Sequence, residues 1–154
     1  AAVHAGRAGL EGGILTRAVS VMAELVGGPS TLHALIGPSI CGRCYEVPAE
    51  MRERVSAGHP ASWSTTSWGT PALDLPAGAE QELLGLVLAE VRRDGRCTRE
   101  DRLLHSYRRD PRCGREAGVV VPGSEAPVEG CRNGDGRVPH DMPEEFGQAC
   151  RDLH

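Results

Sequence analysis

A histidine close to the start of the chain is the first residue whose type and setting could do chemistry. His4 stands in the segment HAGRAGL, where the following glycines would let a ligand approach the backbone. A neutral imidazole in this position could bind zinc or copper. The alternative is an ordinary polar histidine beside a turn, and spacing alone leaves both interpretations open.

A second candidate is the close cysteine pair Cys41 and Cys44 in the loop SICGRCYEV. Its spacing is that of a zinc knuckle or a redox dithiol. A closed structural zinc site needs four ligands, and the usual second pair is missing because Cys97 and Cys113 are isolated in the sequence. The alternative is two reduced cysteines in a buried loop. Without a recognisable secretory signal we expect reduced thiols and a cytoplasmic protein.

A third candidate is the basic group Arg108, Arg109 and Arg115, placed around a turn in SYRRDPRCGR. Guanidinium groups suit phosphate or carboxylate because they donate paired hydrogen bonds. The alternative is a solvated hairpin tip in which these arginines pair with Asp110. Both interpretations stay open at this point.

Composition excludes several classes of protein. The 17 positive charges are all arginine, which excludes Schiff-base chemistry and a P-loop lysine. The net charge of -4 argues against a general nucleic-acid binder, whose usual feature is a basic face. No apolar run approaches the roughly 18 residues of a membrane span. We therefore expect neither a nucleic acid nor a membrane as partner.

The elements that must position these residues alternate between helices and strands. Apolar periods and turn residues predict six of them: the end of a strand at 1–3, a helix over 10–26, a strand at 32–36, a helix from Pro48 through Val55, a helix from Pro76 to Gly95 and a hairpin over 103–121. A loop is predicted over 58–71, and Asp74 favours the start of the helix that follows it. The fold class is α/β or α+β, a mixed sheet with packed helices.

The predicted domain covers residues 1–121, and the character of the sequence changes after it. Residues 122–154 have no sustained apolar period and are rich in glycine, proline and acidic residues. They offer too little apolar surface to offset the entropy of ordering, so we predict a disordered tail. The chain opens with Ala in what is predicted to be the end of a strand, so we expect a fragment truncated at its amino terminus.

Four stretches resemble, in order, segments of the laccase-domain family, once called multicopper polyphenol oxidases and now regarded as purine nucleoside phosphorylases. They are AAVHAGRAGLEGGIL, IGPSICGRCYEV, PALDLPAGAEQEL and CTREDRLLHSYRRDPRCGR. The resemblance covers about residues 1–121 and implies the carboxy-terminal half of such a protein. The chain departs from the family in having Arg7-Ala8 for Trp-Arg, His105 for phenylalanine and Glu116 for an apolar residue.

The resemblance implies a zinc-dependent purine nucleoside phosphorylase with adenosine deaminase-type activity on adenosine, inosine and related nucleosides. In that family two histidines and one cysteine hold the zinc, and the His-Ala-Gly block assigns one of these roles to His4. The other two ligands belong to the family's amino-terminal half, so Cys41 and Cys44 are not carried over as metal ligands. Purine nucleoside and phosphate are the implied partners, with Tyr45 and Arg108 in substrate binding. No catalytic residue is assigned.

Two alternatives to this function stay open. One is a copper-dependent polyphenol oxidase, although multicopper chemistry requires many histidine ligands and the chain has six scattered histidines. The other is an inactive truncated remnant. Because one histidine cannot supply the three protein ligands of a catalytic zinc, we also expect the chain by itself not to hold zinc tightly.

Overall fold

Helices and short strands alternate in the part of the chain that the structure, a computed structural model, describes, residues 1–120. In chain order they are α1 Arg7–Glu11, α2 Ile14–Val26, β1 His33–Ile36, α3 Ala49–Gly58, β2 Trp63–Thr65, β3 Pro71–Leu73, α4 Leu75–Gly85 and β4 Glu90–Arg93. Two 3-10 turns, Pro29–Thr31 and Pro60–Ser62, connect them. The predicted mixed class of helices and sheet is confirmed. Contacts divide the chain into Ala1–Gly118 and Val119–His154, and the tail predicted over 122–154 lies outside the described residues.

The strands form two small sheets of different kinds. β1 and β4 pair in parallel, with His33 opposite Glu90 and Ile36 opposite Arg93. β2 and β3 pair antiparallel. A parallel pair needs a long crossover, which here contains α3, the β2–β3 pair and α4. The ends of β1 and β4 therefore leave the sheet side by side, and the segments that follow each strand start close together.

Two apolar clusters hold the helices against the strands. In the first, α1, α2 and α4 contribute the buried residues Leu10, Leu15, Ala79 and Leu83. In the second, the segment before α3, α3 itself and β3 contribute Val47, Val55 and Leu73, against which Tyr45 and Met51 pack. Tyr45 directly follows the cysteine pair, so its packing connects the second cluster to the loop that contains this pair.

The first half of the chain agrees with the sequence-based elements except at its start. The strand over 32–36 and the helix after Pro48 are confirmed as β1 and α3. The single helix over 10–26 is wrong, because Gly13 adopts a left-handed backbone (φ 70°) and separates α1 from α2. The structure shows no strand in residues 1–6, so the strand end predicted at 1–3 is also wrong.

The long helix predicted from Pro76 to Gly95 is wrong in its second half. α4 begins as expected, with the Asp74 side chain accepting a hydrogen bond from the Ala77 amide at 3.0 Å, but ends at Gly85. Val87 then has a positive φ of 57°, and residues 90–93 pair with β1 instead of continuing the helix. The apolar spacing around Val91 suits either a helix or a strand, and this segment is a strand because it pairs with β1. The loop predicted over 58–71 contains β2, so it is also wrong in part.

The hairpin predicted over 103–121 is wrong within the residues described, since an isolated bridge at Cys97 is the only pairing after β4. The guanidinium of Arg109 instead holds this segment to the turn that precedes it. It donates to the carbonyls of Thr98, Arg99, Asp101 and Leu104. Asp110 contacts Arg112 rather than Arg109, at 3.8 Å. Glu116 is exposed and accepts a hydrogen bond from the His105 amide at 2.6 Å.

Gly42 lies where the cysteine loop contacts the start of α4, and we predict that Gly42→Ala destabilises the fold. A Cβ there would lie 2.5 Å from the Ser64 hydroxyl oxygen and 2.7 Å from the Asp74 Cβ. The backbone must shift to accommodate it, at a cost of about 1–3 kcal/mol in the free energy of unfolding. Urea unfolding of the chain measures this. Gly85→Ala is the control, because a Cβ there meets no atom within 4 Å and should leave stability unchanged or slightly higher.

Candidate functional site

Two loops with the same hydrogen-bond pattern contain the chemically reactive side chains. In the first, the Cys41 carbonyl accepts hydrogen bonds from the amides of Cys44 and Tyr45, both at 3.0 Å. In the second, the Cys97 carbonyl accepts from the amides of Glu100 and Asp101, at 3.1 and 2.8 Å. Each loop is therefore a turn that begins with a cysteine and carries a potential metal ligand three positions later.

The two turns lie against each other just beyond the parallel strands. Ser39 and Cys97 form an isolated parallel bridge, and the Thr98 amide donates to the Ser39 carbonyl at 3.0 Å. The Cys41 amide donates to the Cys97 sulfur at 3.4 Å, although the two residues are 56 positions apart. The expectation that Cys97 stands alone is wrong, because the strand pairing carries it to the cysteine loop.

Four potential ligand atoms meet where the turns touch. The sulfurs of Cys41, Cys44 and Cys97 and a carboxylate oxygen of Glu100 all lie within 4.8 Å of one another. Cys44 and Cys97 are buried and Glu100 is exposed. Such a group of thiols and a carboxylate could hold a metal ion such as zinc. Sequence reasoning missed the group because its second pair is Cys-x-x-Glu rather than Cys-x-x-Cys.

The thiols differ in how readily they ionise. Burial raises the pKa of the Cys44 thiol to about 12, and burial also raises the pKa of Cys41. Burial opposes ionisation of Cys97 as well, but hydrogen bonds from the backbone amides of Cys41, Glu100 and Arg99 outweigh it and lower the pKa of this thiol. Cys97 is thus the sulfur whose surroundings best accommodate a thiolate. No disulfide joins Cys41, Cys44, Cys97 or Cys113.

His4 lies outside this group, in an exposed segment before α1. Its ring rests against the backbone of Gly6, where a Cβ would come within 3.0 Å of Nε2. Within residues 1–120 neither ring nitrogen has a hydrogen-bond partner. One imidazole does not hold zinc by itself, so the described residues alone do not form the metal site implied for His4. Its role as a ligand stays a prediction.

Tyr45 and Arg108, the two residues predicted to bind substrate, are brought together. The Arg108 guanidinium carbon lies 4.8 Å from the centre of the Tyr45 ring, and Nη1 donates to the Glu46 carbonyl at 3.1 Å. These contacts orient the guanidinium at the edge of a surface groove. The substrate-binding role of both residues stays a prediction.

The groove also contains residues that sequence reasoning did not single out. Arg99 lies over the Trp68 ring, 4.8 Å from its centre, and donates to the Cys44 carbonyl at 3.2 Å. The Trp68 indole N–H donates to the Glu46 carboxylate at 2.7 Å. Within the described part of the chain, neither Arg99 nor Arg108 forms an ion pair. Two guanidinium groups therefore line one groove without being paired to a carboxylate, although Glu46 also lines it, and unpaired guanidinium groups suit an anionic ligand. Trp68 lies in the segment predicted as loop, and no pattern marked it.

Among the helices of residues 1–120, none is both long and apolar enough to cross a membrane.

Known proteins are similar in sequence to this chain over most of its length. Over 120 residues the chain is 50% identical to a purine nucleoside phosphorylase of Streptomyces coelicolor, which covers 78% of this chain and 50% of that protein. Over 126 residues it is 45% identical to a purine nucleoside phosphorylase of Corynebacterium glutamicum, covering 82% of this chain and 51% of the relative. The chain thus spans about half the length of the curated relatives it matches.

Solved structures share the fold. The crystal structure of a Neisseria meningitidis protein of the DUF152 family matches with a TM-score of 0.59 and 29% identity, over 70% of this chain and 45% of that chain. The hypothetical protein YfiH of Bacillus licheniformis matches with a TM-score of 0.59 and 25% identity, over 71% of this chain and 44% of its own. The helices and small sheets described above are therefore those of this fold.

One family profile, described as multi-copper polyphenol oxidoreductase laccase, matches residues 1–122. That stretch includes His4, the cysteine loop, the Cys97 turn and Arg108. The resemblance inferred from four stretches of sequence is thereby confirmed, while a domain boundary after residue 121 stays a prediction. The chain belongs to the multi-copper polyphenol oxidoreductase laccase family, and its relatives in Streptomyces coelicolor and Corynebacterium glutamicum are named purine nucleoside phosphorylases.

Proposed function

We propose that this chain is part of a purine nucleoside phosphorylase and that its arginine groove binds the substrates. The observation that carries the proposal is the 50% identity over 120 residues to a protein named for that activity. The groove supports it, because phosphate is an anion and Arg99 and Arg108 have no carboxylate partner among the described residues. Purine nucleoside and inorganic phosphate are the proposed partners.

Phosphorolysis sets clear requirements for such a groove. A phosphate oxygen forms a bond to the anomeric carbon of the ribose, and the bond from that carbon to the purine nitrogen breaks. The products are ribose 1-phosphate and the free base, which leaves with the bonding electron pair and takes up a proton. Arg108, held by Tyr45 and the Glu46 carbonyl, would bind phosphate and orient it. Guanidinium charge would also reduce the repulsion between phosphate and the groove's own carboxylate at Glu46.

The proposed function also includes a metal ion, particular nucleosides and a location in the cell. His4 would be one ligand of a catalytic zinc, with copper as the alternative, and its unpartnered ring supports that role. A zinc ion would supply polarisation of a substrate group or activation of water. Adenosine and inosine are the proposed nucleosides, with deamination of adenosine as a second activity. A cytoplasmic location is proposed because the four described cysteines form no disulfide, which is typical of proteins in a reducing compartment.

The test compares activities of the protein encoded by the whole gene that contains this chain. Phosphate-dependent release of hypoxanthine from inosine is expected, together with conversion of adenosine to inosine. Oxidation of phenols with copper bound, and no release of hypoxanthine, would favour the polyphenol oxidase suggested by the family's description. A folded protein without any of these activities would favour an inactive remnant, and either result would overturn the proposal.

Arg108→Ala provides the residue-level test of the groove. Loss of one charge-assisted contact to phosphate should raise the KM for phosphate about ten- to a hundredfold, corresponding to about 1.5–3 kcal/mol. The matched control is Arg102→Ala, which removes an equally charged, exposed side chain outside the groove. Steady-state phosphorolysis of inosine at varied phosphate measures both variants. An unchanged phosphate KM in Arg108→Ala would remove this arginine from the substrate site.

A further inference from the structure

The two turns that meet at the cysteine cluster have the geometry of paired metal-binding turns. In Cys41–Cys44 and in 97–100, the first residue's carbonyl accepts hydrogen bonds from the amides three and four positions later. That repeated pattern brings the first and fourth side chains of each turn to one place. Zinc knuckles place two ligands on such a turn, and two turns complete four ligands.

Distances within the cluster match a small ion. Tetrahedral zinc with bonds of ~2.3 Å to sulfur and ~2.0 Å to oxygen puts sulfur and oxygen ligands about 3.5 Å apart. The Cys44 sulfur and a Glu100 carboxylate oxygen are 3.6 Å apart. The remaining separations reach at most 4.8 Å, so the ligand atoms would approach one another by up to about 1 Å to complete the coordination.

Surrounding groups stabilise a negatively charged set of ligands. The Cys41 amide donates to the Cys97 sulfur, as backbone amides do in thiolate sites. Arg43 lies 3.5 Å from the second carboxylate oxygen of Glu100 and partly offsets its charge. Three thiolates select a soft or borderline ion such as zinc over magnesium or calcium, which prefer oxygen ligands.

We propose that Cys41, Cys44, Cys97 and Glu100 bind one zinc ion as a four-ligand structural site, separate from any ion held through His4. The ion fastens the loop after β1 to the turn after β4. It also fixes the groove, because the Cys44 carbonyl accepts from Arg99 and Tyr45 follows Cys44 directly. Binding displaces protons from the thiols to solvent as the zinc–sulfur bonds form, with no change of oxidation state. Zinc bound at these four residues would contradict the expectation that this chain alone does not hold zinc, which rested on His4 as the single ligand.

The probes of this site are zinc and cobalt. Each is added alone to the metal-free, reduced 154-residue chain. We expect one zinc per chain by elemental analysis after dialysis, a raised thermal unfolding midpoint and release of protons. Cobalt should give the visible bands of a tetrahedral site and a thiolate-to-cobalt charge-transfer band in the near ultraviolet. A folded chain that takes up no zinc would overturn the proposal, as would cobalt bands typical of six oxygen ligands.

Variants locate the site. Cys97→Ser should lower zinc affinity by at least a hundredfold and weaken the charge-transfer band, whereas Glu100→Gln should lower affinity about ten- to a hundredfold and keep that band. The control C113S/C131S/C150S removes the other three cysteines and should bind one zinc as before, as should His4→Ala. Loss of zinc in that control with retention in Cys97→Ser would overturn the assignment. If Cys97→Ser does not fold, Glu100→Gln and the control still test the ligand set. Unchanged zinc affinity in Glu100→Gln together with loss of zinc in the control would contradict the proposed ligands.

Discussion

Replacing His4 by alanine is expected to abolish nucleoside phosphorolysis by the protein that contains this chain, while leaving the fold mostly intact. Under the proposed function, His4 is one of three protein ligands of a catalytic ion, and its loss removes the ion's fixed charge. The expected fall in kcat/KM spans several orders of magnitude, on the order of 4 kcal/mol or more. Stability should change little because His4 is exposed and buries little apolar area.

The measurement pairs inosine phosphorolysis with thermal unfolding on the same preparation. His33→Ala is the matched control, since His33 is also exposed and lies on β1 beside Glu90. It should keep full activity. Full activity in His4→Ala would end the assignment of this residue to a metal, and a collapsed unfolding transition in that variant would indicate a structural role instead.

Replacing Leu73 by alanine is expected to lower the free energy of unfolding by about 2–5 kcal/mol. Leu73 is 0% exposed and packs with Val47 and Val55 in the second apolar cluster. Truncating it leaves a cavity between β3 and α3 that the surrounding strands can close only in part. Tyr45 packs against the same cluster, so the support of Arg108 should loosen as well.

Urea unfolding of the metal-free chain gives this change in stability without a contribution from bound ions. Leu103→Ala is the control, because Leu103 is 87% exposed and its truncation should cost less than about 0.5 kcal/mol. Equal losses in the two variants would show that Leu73 does not belong to the core that the structure assigns to it.

Sequence reasoning succeeded where local chemistry decides the outcome. Asp74 was expected to begin a helix and does so through its own side chain, and Pro48 precedes a helix as its fixed φ favours. Glycines at the end of α2 also behaved as expected, since Gly27 has a φ of 83°. These features depend on neighbours within a few positions, which the sequence displays directly.

The wrong predictions concern segments whose structure depends on residues far away in the sequence. Val91 suits a helical period, but pairing of β4 with β1 places it in a strand. The segment after Asp101 has the composition of a hairpin, but the Arg109 guanidinium binds carbonyls of the preceding turn, and no strand pairing forms in 103–120. The cysteine cluster depends on the same long-range pairing, so the sequence near Glu100 carried no signal that this residue joins the three thiols.

The long crossover between β1 and β4 also determines when the parts of this protein can form. Helices α3 and α4 and the β2–β3 pair contain contacts close in sequence, and they can assemble while later residues are still being synthesised. β1 can pair only after β4 has been synthesised, and Cys41 can contact Cys97 only after the 56 positions that separate them. Closing so long a loop is slow, and its entropic cost is offset only when the contacts between both ends form. The cysteine cluster is therefore completed among the last steps of folding, and an intact cluster reports that the whole unit has folded.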